Sequence, residues 1–393
     1  MREFTDEERR RRLGVRHALA VRAADPVEAA ARVVALHATD AATVFLSVRA
    51  RATRGAPADL EDALYTRRTL VRMLGMRRTM FVVPSPLLPI VEASTMERVV
   101  ANQRRLLLKD LGTAGVPDTE RWLADVEAGT LAALAARGGT ASAVELAAAE
   151  PRLRTSLHMS PGKAYEARTA ITSRVLTILG GDGRIVRGRP TGKLFSQRYQ
   201  WALAEQWLPV PLDRPSPTEA RARLAAAWLA AYGPAPASDL QWWTGWTGAQ
   251  VTRAVSDAKA ISVGLPNGAT GLVLPDDREL TPDPGPWVAF LPALDPTTMG
   301  WAARDWYLGG YTPLLFDRAG NAGPTIWLDG RIVGGWAHRE DGEVAVRLFE
   351  DVGQEASALV DAEAERVTTW LAAAGDVRVL PRFRTPTERE LSS

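Results

Sequence analysis

The chain of 393 residues contains no cysteine. That excludes disulfides, thiolate nucleophiles and cysteine-ligated metals, and it fits a cytoplasmic protein. Histidine is nearly as scarce, with four dispersed residues, so a zinc site is not expected. No run of about 18 apolar residues occurs, which excludes a hydrophobic membrane-spanning helix. The opening MREFTDEERRRRLGV is charged and has no apolar core of the signal-peptide kind. Hydrophobic residues make up 46% and charged residues 24%, a globular composition at a length sufficient for two or more domains.

Acid is missing locally. Net charge is only +2, yet residues 67–78, RRTLVRMLGMRR, hold five arginines and no carboxylate. Residues 184–198, RIVRGRPTGKLFSQR, hold four arginines and one lysine, again without acid. Cations interleaved with glycine and aromatic residues are the footprint of a polyanion site; a solvated basic face is the plainer alternative for either stretch alone.

The pattern along the chain is helical with short strand-like tails, and it recurs. Asp25-Pro26 caps a first helix whose apolar spacing runs through Ala30, Val33, Val34 and Leu36. A second helix is expected from Ala41 to Ala50, and a third, PADLEDALYTRRTLVRML, after Pro57, followed by the strand GMRRTMFVVP. The outline returns in TASAVELAAAEPRL, then a long helix KAYEARTAITSRVLTILGGDG, then the hairpin RIVRGRPTGKLFSQRYQ. It returns again in SPTEARARLAAAWLAAYG and PASDLQWWTGWTGAQVTRAVSDA, where Ser238 or Asp239 is the expected helix cap, ending in the hairpin ISVGLPNGATGLVLP. From about Pro284 the chain is β-patterned, with Asp329-Gly330 as a tight-turn signal, one helix SALVDAEAERVTTWLAAAG and a closing strand VRVLPRF.

The expected fold class is therefore α+β: tandem winged helix-turn-helix units, three of them, followed by a C-terminal β-rich, barrel-like domain. The expected boundaries are 1–115 for an N-terminal helical region and first winged unit with the candidate active site, 116–212 for the second, 213–283 for the third, and 284–393 for the β-rich domain. LDRPSP, 212–217, reads as the interior linker.

One stretch stands out. VVALHATDAATVFLSVRAR, 33–51, places His37, Thr39 and Asp40 at the end of an apolar run. Asp40 can simply cap the helix beginning at Ala41, with His37 a satisfied residue at the preceding helix end. Alternatively the three form a polar notch facing a substrate. Residues i and i+2 face different ways on a helix but share a side in an extended segment, so His37 and Thr39 act together only if the helix ends before them.

This layout resembles the winged-helix DNA glycosylases of the AlkZ/YcaQ type. The resemblance covers most of the chain and rests on RRRRLGVRHAL, on VVALHATDAATVFLSVRAR, and on FLPALDPTTMGWAARDWYLG followed by IWLDGRIVGGW. In that family the segment after the first helix usually reads L-Q-x-Q-D-P, or carries an acid at the second polar position, and these two polar residues implement base excision. The matching positions here are His37 and Thr39, followed by Asp40. The resemblance implies a monofunctional enzyme gripping double-stranded DNA, acting on alkylated purines and bulky genotoxin adducts at guanine N7 or on crosslinks, in repair or in self-resistance of a toxin producer. It implies no metal and no organic cofactor.

Cleaving an N-glycosidic bond builds oxocarbenium-like charge on the sugar, as in sugar hydrolysis. A negative or dipolar group must stabilise that charge and a water must be aimed at the anomeric carbon. His37 and Thr39 are assigned to the water or the sugar, and Asp40 to orienting them or to electrostatic stabilisation; which of His37 and Asp40 activates water stays open. The DNA grip is assigned to Arg49, Arg51, Arg77, Arg78, Arg184, Arg187, Arg189, Lys193 and Arg198, with Trp336 and Arg339 as further contacts. No aromatic-lined pocket is signalled near residue 37, so a bulky adduct is expected to be handled in a cleft between units rather than in a deep base-flipping pocket. The tryptophan cluster QWWTGW reads as core. Three DNA-binding units in one chain make dimerisation unnecessary, so a monomer is expected. The competing reading is a non-catalytic winged-helix regulator or damage-binding protein.

Overall fold

A computed structural model describes residues 2–159, 167–208 and 214–393. Its N-terminal helix, Asp6–Arg16, starts at a Thr5–Glu8 capping box. Helix Pro26–Arg32 begins where expected, with Asp25 accepting from the amides of Val27 and Glu28. It stops earlier than the apolar spacing suggests, because Val34 turns left-handed at φ 65° and Leu36–His37 extends as strand β1. Helix Ala41–Arg51 follows, capped by Asp40.

The helix expected from Pro57 through Leu74 is a correction. It unwinds after a wider turn at Asp62–Thr66, and Leu70–Leu74 is strand β2, paired along its length with β3, Met80–Pro84. The sequence LVRML satisfies its backbone better in a hairpin, where its apolar side chains enter the core. Two long helices follow, Leu88–Thr113 and Thr119–Ala136, then the short strand β4, Thr140–Ala141. A second correction concerns the helix expected over 163–183: residues 163–166 lie outside the described residues, Ala167–Ala170 is strand β6 paired with β5, Ser156–Met159, and the helix begins only at Thr172 and runs to Gly181. The hairpin of β7, Ile185–Pro190, and β8, Tyr199–Leu203, is as expected.

These strands join in one sheet, in the order β1-β3-β2-β7-β8-β4. Two basic hairpins from distant parts of the chain are thereby fused edge to edge, with Arg72 of β2 registered against Arg187 of β7. A third hairpin stands apart, β9, Ile261–Gly264, with β10, Thr270–Val273. It follows helices Pro217–Tyr232, Ala237–Thr244 and Gly248–Asp257. The middle one lacks the expected side-chain cap: Asp239 turns inward, where one carboxylate oxygen accepts from the amides of Ala302 and Ala303, both at 3.0 Å. Of the expected linker 212–217, residues 212 and 213 lie outside the described residues.

The C-terminal part is an open antiparallel sheet of β11, Val288–Leu291, β12, Thr325–Leu328, β13, Arg331–His338, and β14, Val344–Leu348, in sequential order. Asp329 at φ 47° and Gly330 at φ 84° form the tight turn joining β12 to β13. Among the described residues this sheet does not close into a barrel, and VRVLPRF forms no strand, so both expectations are corrected. Helix Gln354–Ala373 covers the sheet instead, through Val360, Val367 and Leu371 against Phe290 and Trp336. One apolar core runs from the N-terminal helices to the C-terminal sheet, and a second, around Leu107, Leu134 and Leu176, lies under the long helices.

Candidate active site at the edge of a basic sheet

The segment 37–40 leaves the helix before His37, as two residues sharing a side require. Its backbone is clamped from two directions. The Ala38 amide donates to the Met80 carbonyl at 2.8 Å, and the Ala38 carbonyl accepts from the Arg72 guanidinium at 2.8 Å. His37 is registered against Phe81, and their rings meet edge-on with centroids 5.2 Å apart. Its Nδ1 is enclosed with no hydrogen-bond partner. Burial, and then the positive charge of Arg77, depress the His37 imidazolium to about 4, so the ring is neutral at neutral pH. Thr39 is half-buried between the other two.

Asp40 caps the helix, as one of the two readings of the sequence asked. One carboxylate oxygen caps the helix, accepting from the Ala42 amide at 3.1 Å; the other accepts from the Arg382 amide at 3.3 Å. It is 8% exposed, and burial raises its carboxyl above the usual range despite those bonds and the nearby charges of Arg72 and Arg382. Buried groups with perturbed pKa values, as Asp40 and His37 both are, cluster at functional sites.

Arg72 is the residue that sequence reasoning missed. It is 2% exposed; apart from the bond to Ala38, its Nε and second terminal nitrogen are buried without partners. Its guanidinium lies over the Tyr199 ring at 4.5 Å, and Arg187 stacks on Trp201 at 4.1 Å while also facing Tyr199 at 5.8 Å. Burial, and then the charge of Arg72, lower the pKa of Arg187. Like charges set opposite one another across a ladder are ordinarily destabilising. Neither arginine has a carboxylate within ion-pair distance among the described residues. The signal was legible: an arginine inside the otherwise apolar strand LVRML.

The other expected DNA contacts divide sharply. Arg77, Arg78, Arg184 and Arg198 are exposed. Arg189 is exposed but paired with Glu61 at 3.2 Å and laid over Tyr65, and Lys193 is paired with Asp376. Arg339 is half-buried and donates to the Leu391 carbonyl at 3.0 Å. Three expectations are corrected. Arg49 is buried against Glu363, Arg51 is fully buried against Asp295, and Trp336 is fully buried with its indole N–H on the Leu291 carbonyl, so none presents a surface to a phosphate. A cavity of about 600 Å³, lined by Glu92, Arg184, Leu203 and Arg214 among others, contains no residue of 37–40.

A family model described as DNA glycosylase AlkZ-like matches residues 30–370, most of the chain. The chain belongs to the AlkZ-like DNA glycosylase family. It is accordingly a DNA glycosylase, an enzyme of DNA repair whose partner is DNA. In its fold it is similar to Streptomyces sahachiroi DNA glycosylase AlkZ, with a TM-score of 0.72 and 20% identity over 96% of this chain and 98% of that one. A search of curated proteins returned no match. No helix among the described residues is long and apolar enough to cross a membrane.

Much of what carried the family resemblance turns out to be scaffold in this AlkZ-like glycosylase. The Asp295 carboxylate accepts from both terminal nitrogens of Arg51 at 2.6 and 2.8 Å, from Ser47 Oγ at 2.6 Å and from the Thr297 amide at 2.8 Å. Burial alone would raise that carboxyl; Arg51 and the hydrogen bonds outweigh it and hold it below its usual range. His17 Nδ1 meets Thr297 Oγ1 at 2.8 Å, its ring stacks on Trp301, and burial drives its imidazolium down to about 3. This network ties the end of the N-terminal helix to the block 293–301.

Proposed function

We propose that this glycosylase hydrolyses the bond between deoxyribose and a purine alkylated at N7, or bearing a bulky N7 adduct, in duplex DNA, with Asp40, His37 and Thr39 at the reacting centre. The observation that carries the reading is a buried Asp40 carboxylate with a raised pKa and a buried neutral His37 in one short segment, whose backbone Arg72 holds at the edge of the basic sheet. As the bond breaks, its electron pair goes to the base. A purine already cationic at N7 then leaves neutral and needs no strong acid. The sugar becomes cationic, and the Asp40 charge in a poorly hydrated site stabilises it. Water attacks the anomeric carbon and gives its proton to Asp40. His37 and Thr39 orient that water by hydrogen bonds.

Arg72 fixes the segment through Ala38, and the exposed cations Arg77, Arg78, Arg184 and Arg198 take phosphates without reading sequence. Placement of the segment at the edge of the sheet, outside the cavity of about 600 Å³, suits an adduct too large for an enclosed pocket, and the same step on each linked guanine would unhook an interstrand crosslink. We read the hairpins 70–84, 185–203 and 261–273 as the wings of three units, the first two sharing one sheet, with divisions near 115, 212 and 283.

The test is excision itself. Duplex DNA bearing N7-alkylguanine or a bulky N7 adduct is incubated with the protein, then heated in alkali to cut abasic sites. Scission by the wild type, and its loss in Asp40→Asn, is expected. Scission that persists undiminished in His37→Ala, Thr39→Ala and Asp40→Asn would overturn the site, and none across the adduct panel would overturn the substrate class.

A further inference from the structure

A second cationic feature lies beside the site, built from three separate parts of the chain. The Arg77 guanidinium, at the tip of the β2–β3 hairpin, lies over the Trp242 ring at 4.2 Å. The Arg304 guanidinium, from the block after β11, faces the same ring at 5.3 Å and Phe316 at 4.7 Å. Asp239, three residues before Trp242 on the same helix, accepts from Ala302 and Ala303, the residues leading into Arg304. The helix and the loop are thus latched, and the spacing of the two cations is set by the fold.

The tip is strained. Arg77 and Arg78 take φ of 51° and 60°, two consecutive left-handed residues that are not glycine. Such residues cost about 1 kcal/mol or more each and persist where the surroundings impose them, commonly at functional sites. Room for Arg77 comes from Gly245, itself at φ 75°, whose absent Cβ would sit 3.2 Å from the Arg77 side chain.

Two further facts point to what belongs there. A guanidinium stacked on an aromatic face keeps its in-plane N–H donors free, the geometry that takes a phosphate bidentately. Neither Arg77 nor Arg304 has a carboxylate within ion-pair distance among the described residues, whereas the exposed Arg189, Arg253 and Arg331 are each paired. Arg77 also acts electrostatically on His37, so the strip lies within reach of the catalytic segment.

We propose that Arg77 and Arg304, held at fixed spacing by Trp242, bind a phosphodiester of the DNA strand beside the damaged nucleotide. Trp242 is a positioning residue and the arginines are the ligands of the phosphate. The proposal rests on the reading of 37–40 as the reacting centre, but its test needs no catalysis.

Binding to a duplex carrying a stable abasic-site analogue is measured by fluorescence anisotropy across a salt series. Each neutralised phosphate contributes a slope of about 0.9 in log affinity against log salt. Arg77→Gln and Arg304→Gln are each expected to reduce the slope, and the double variant to reduce it by about 0.9, the value for one phosphate. Arg253→Gln, a paired surface arginine, is expected to leave it unchanged. Trp242→Leu keeps both charges and is expected to weaken binding several-fold by releasing them. Replacing single phosphates near the abasic site by neutral methylphosphonates then locates the contact: one position should weaken the wild type and leave the Arg77→Gln/Arg304→Gln double variant indifferent. A slope for Arg304→Gln equal to that of Arg253→Gln, or no such position, overturns the proposal. Slope losses in a protein that excises nothing would leave this inference standing and remove only the proposed substrate.

Discussion

Two buried charge clusters lie within one apolar core, and they are built on opposite terms. Around Asp295 the carboxylate takes Arg51, Ser47 and Thr297, and Arg51 commits both terminal nitrogens to partners, leaving only its Nε without one. Around Asp40 the bonding is incomplete: His37 Nδ1 and two nitrogens of Arg72 are buried with nothing to bind, and Arg72 faces another arginine. A nearly closed network around a paired charge holds a fold in one arrangement; an unpartnered buried group costs about 1–3 kcal/mol and calls for an explanation. The comparison separates scaffold from site where burial alone does not.

Breaking the closed cluster is expected to have the largest effect. Arg51→Met leaves the Asp295 charge buried and unpaired, which costs roughly 3–5 kcal/mol; urea denaturation should show most of the stability lost. Acid should discriminate the clusters next. His17 and His37 are both held well below the ordinary histidine value, at about 3 and about 4, so the folded protein resists protonating them while the unfolded chain does not. Their stabilisation is fully present above about pH 6.5 and declines as pH falls towards those values, each group losing about 1.4 kcal/mol for every pH step of one on the way down. Thermal melts between pH 7 and pH 4 should fall steeply, and His37→Gln should flatten part of the slope.

The open cluster should separate stability from function. Asp40→Asn retains a good helix cap, so its melting behaviour should stay within about 1 kcal/mol of the wild type, while single-turnover excision falls by about 10²-fold or more, as for loss of a preorganised charge. Arg72→Gln removes a charge that favours the ionised form of Asp40, so the acid limb of the excision profile should move to higher pH, with little change in stability because unpartnered donors are removed too. An unmoved limb would show that Arg72 only braces the backbone. The smallest effect should come from Arg189→Gln, whose cation is already committed to Glu61: DNA affinity should change less than for Arg77→Gln at the same salt.

Chemistry that depends on near neighbours was legible. Asp25 and Asp40 cap their helices, Asp329-Gly330 turns tightly, and the hairpins at 185–203 and 261–273 stand where alternation placed them. The end of the helix expected from Pro57 was misread, over 67–74, because ALYTRRTLVRML satisfies a helical spacing almost as well as an extended one, and only pairing with β3 decides it. Arg49 and Arg51 were misread because a cation near a basic stretch looks exposed until Glu363 and Asp295 arrive, from 314 and 244 residues away. Trp336 looked exposed for the same reason, until the Leu291 carbonyl from another strand of its sheet takes the indole N–H. The polar triplet at 37–40 was visible; the arginine that holds it was overlooked, because in a helix Arg72 reads as one more surface cation and only in a strand as a charge inside an apolar run.

The edge shared by β2 and β7 is registered at a single pair, Arg72 and Arg187, while the strands within each hairpin are paired at four or five positions. Such a seam is the softest line across the sheet, and flexing along it leaves the ladders on either side intact. On the proposed reading of 37–40, which touches this seam through Arg72, clearance at the lesion becomes a mechanical property of one joint. The breadth of damage tolerated then depends on how far that joint yields, and a staple across it would narrow the repertoire without touching a reacting atom.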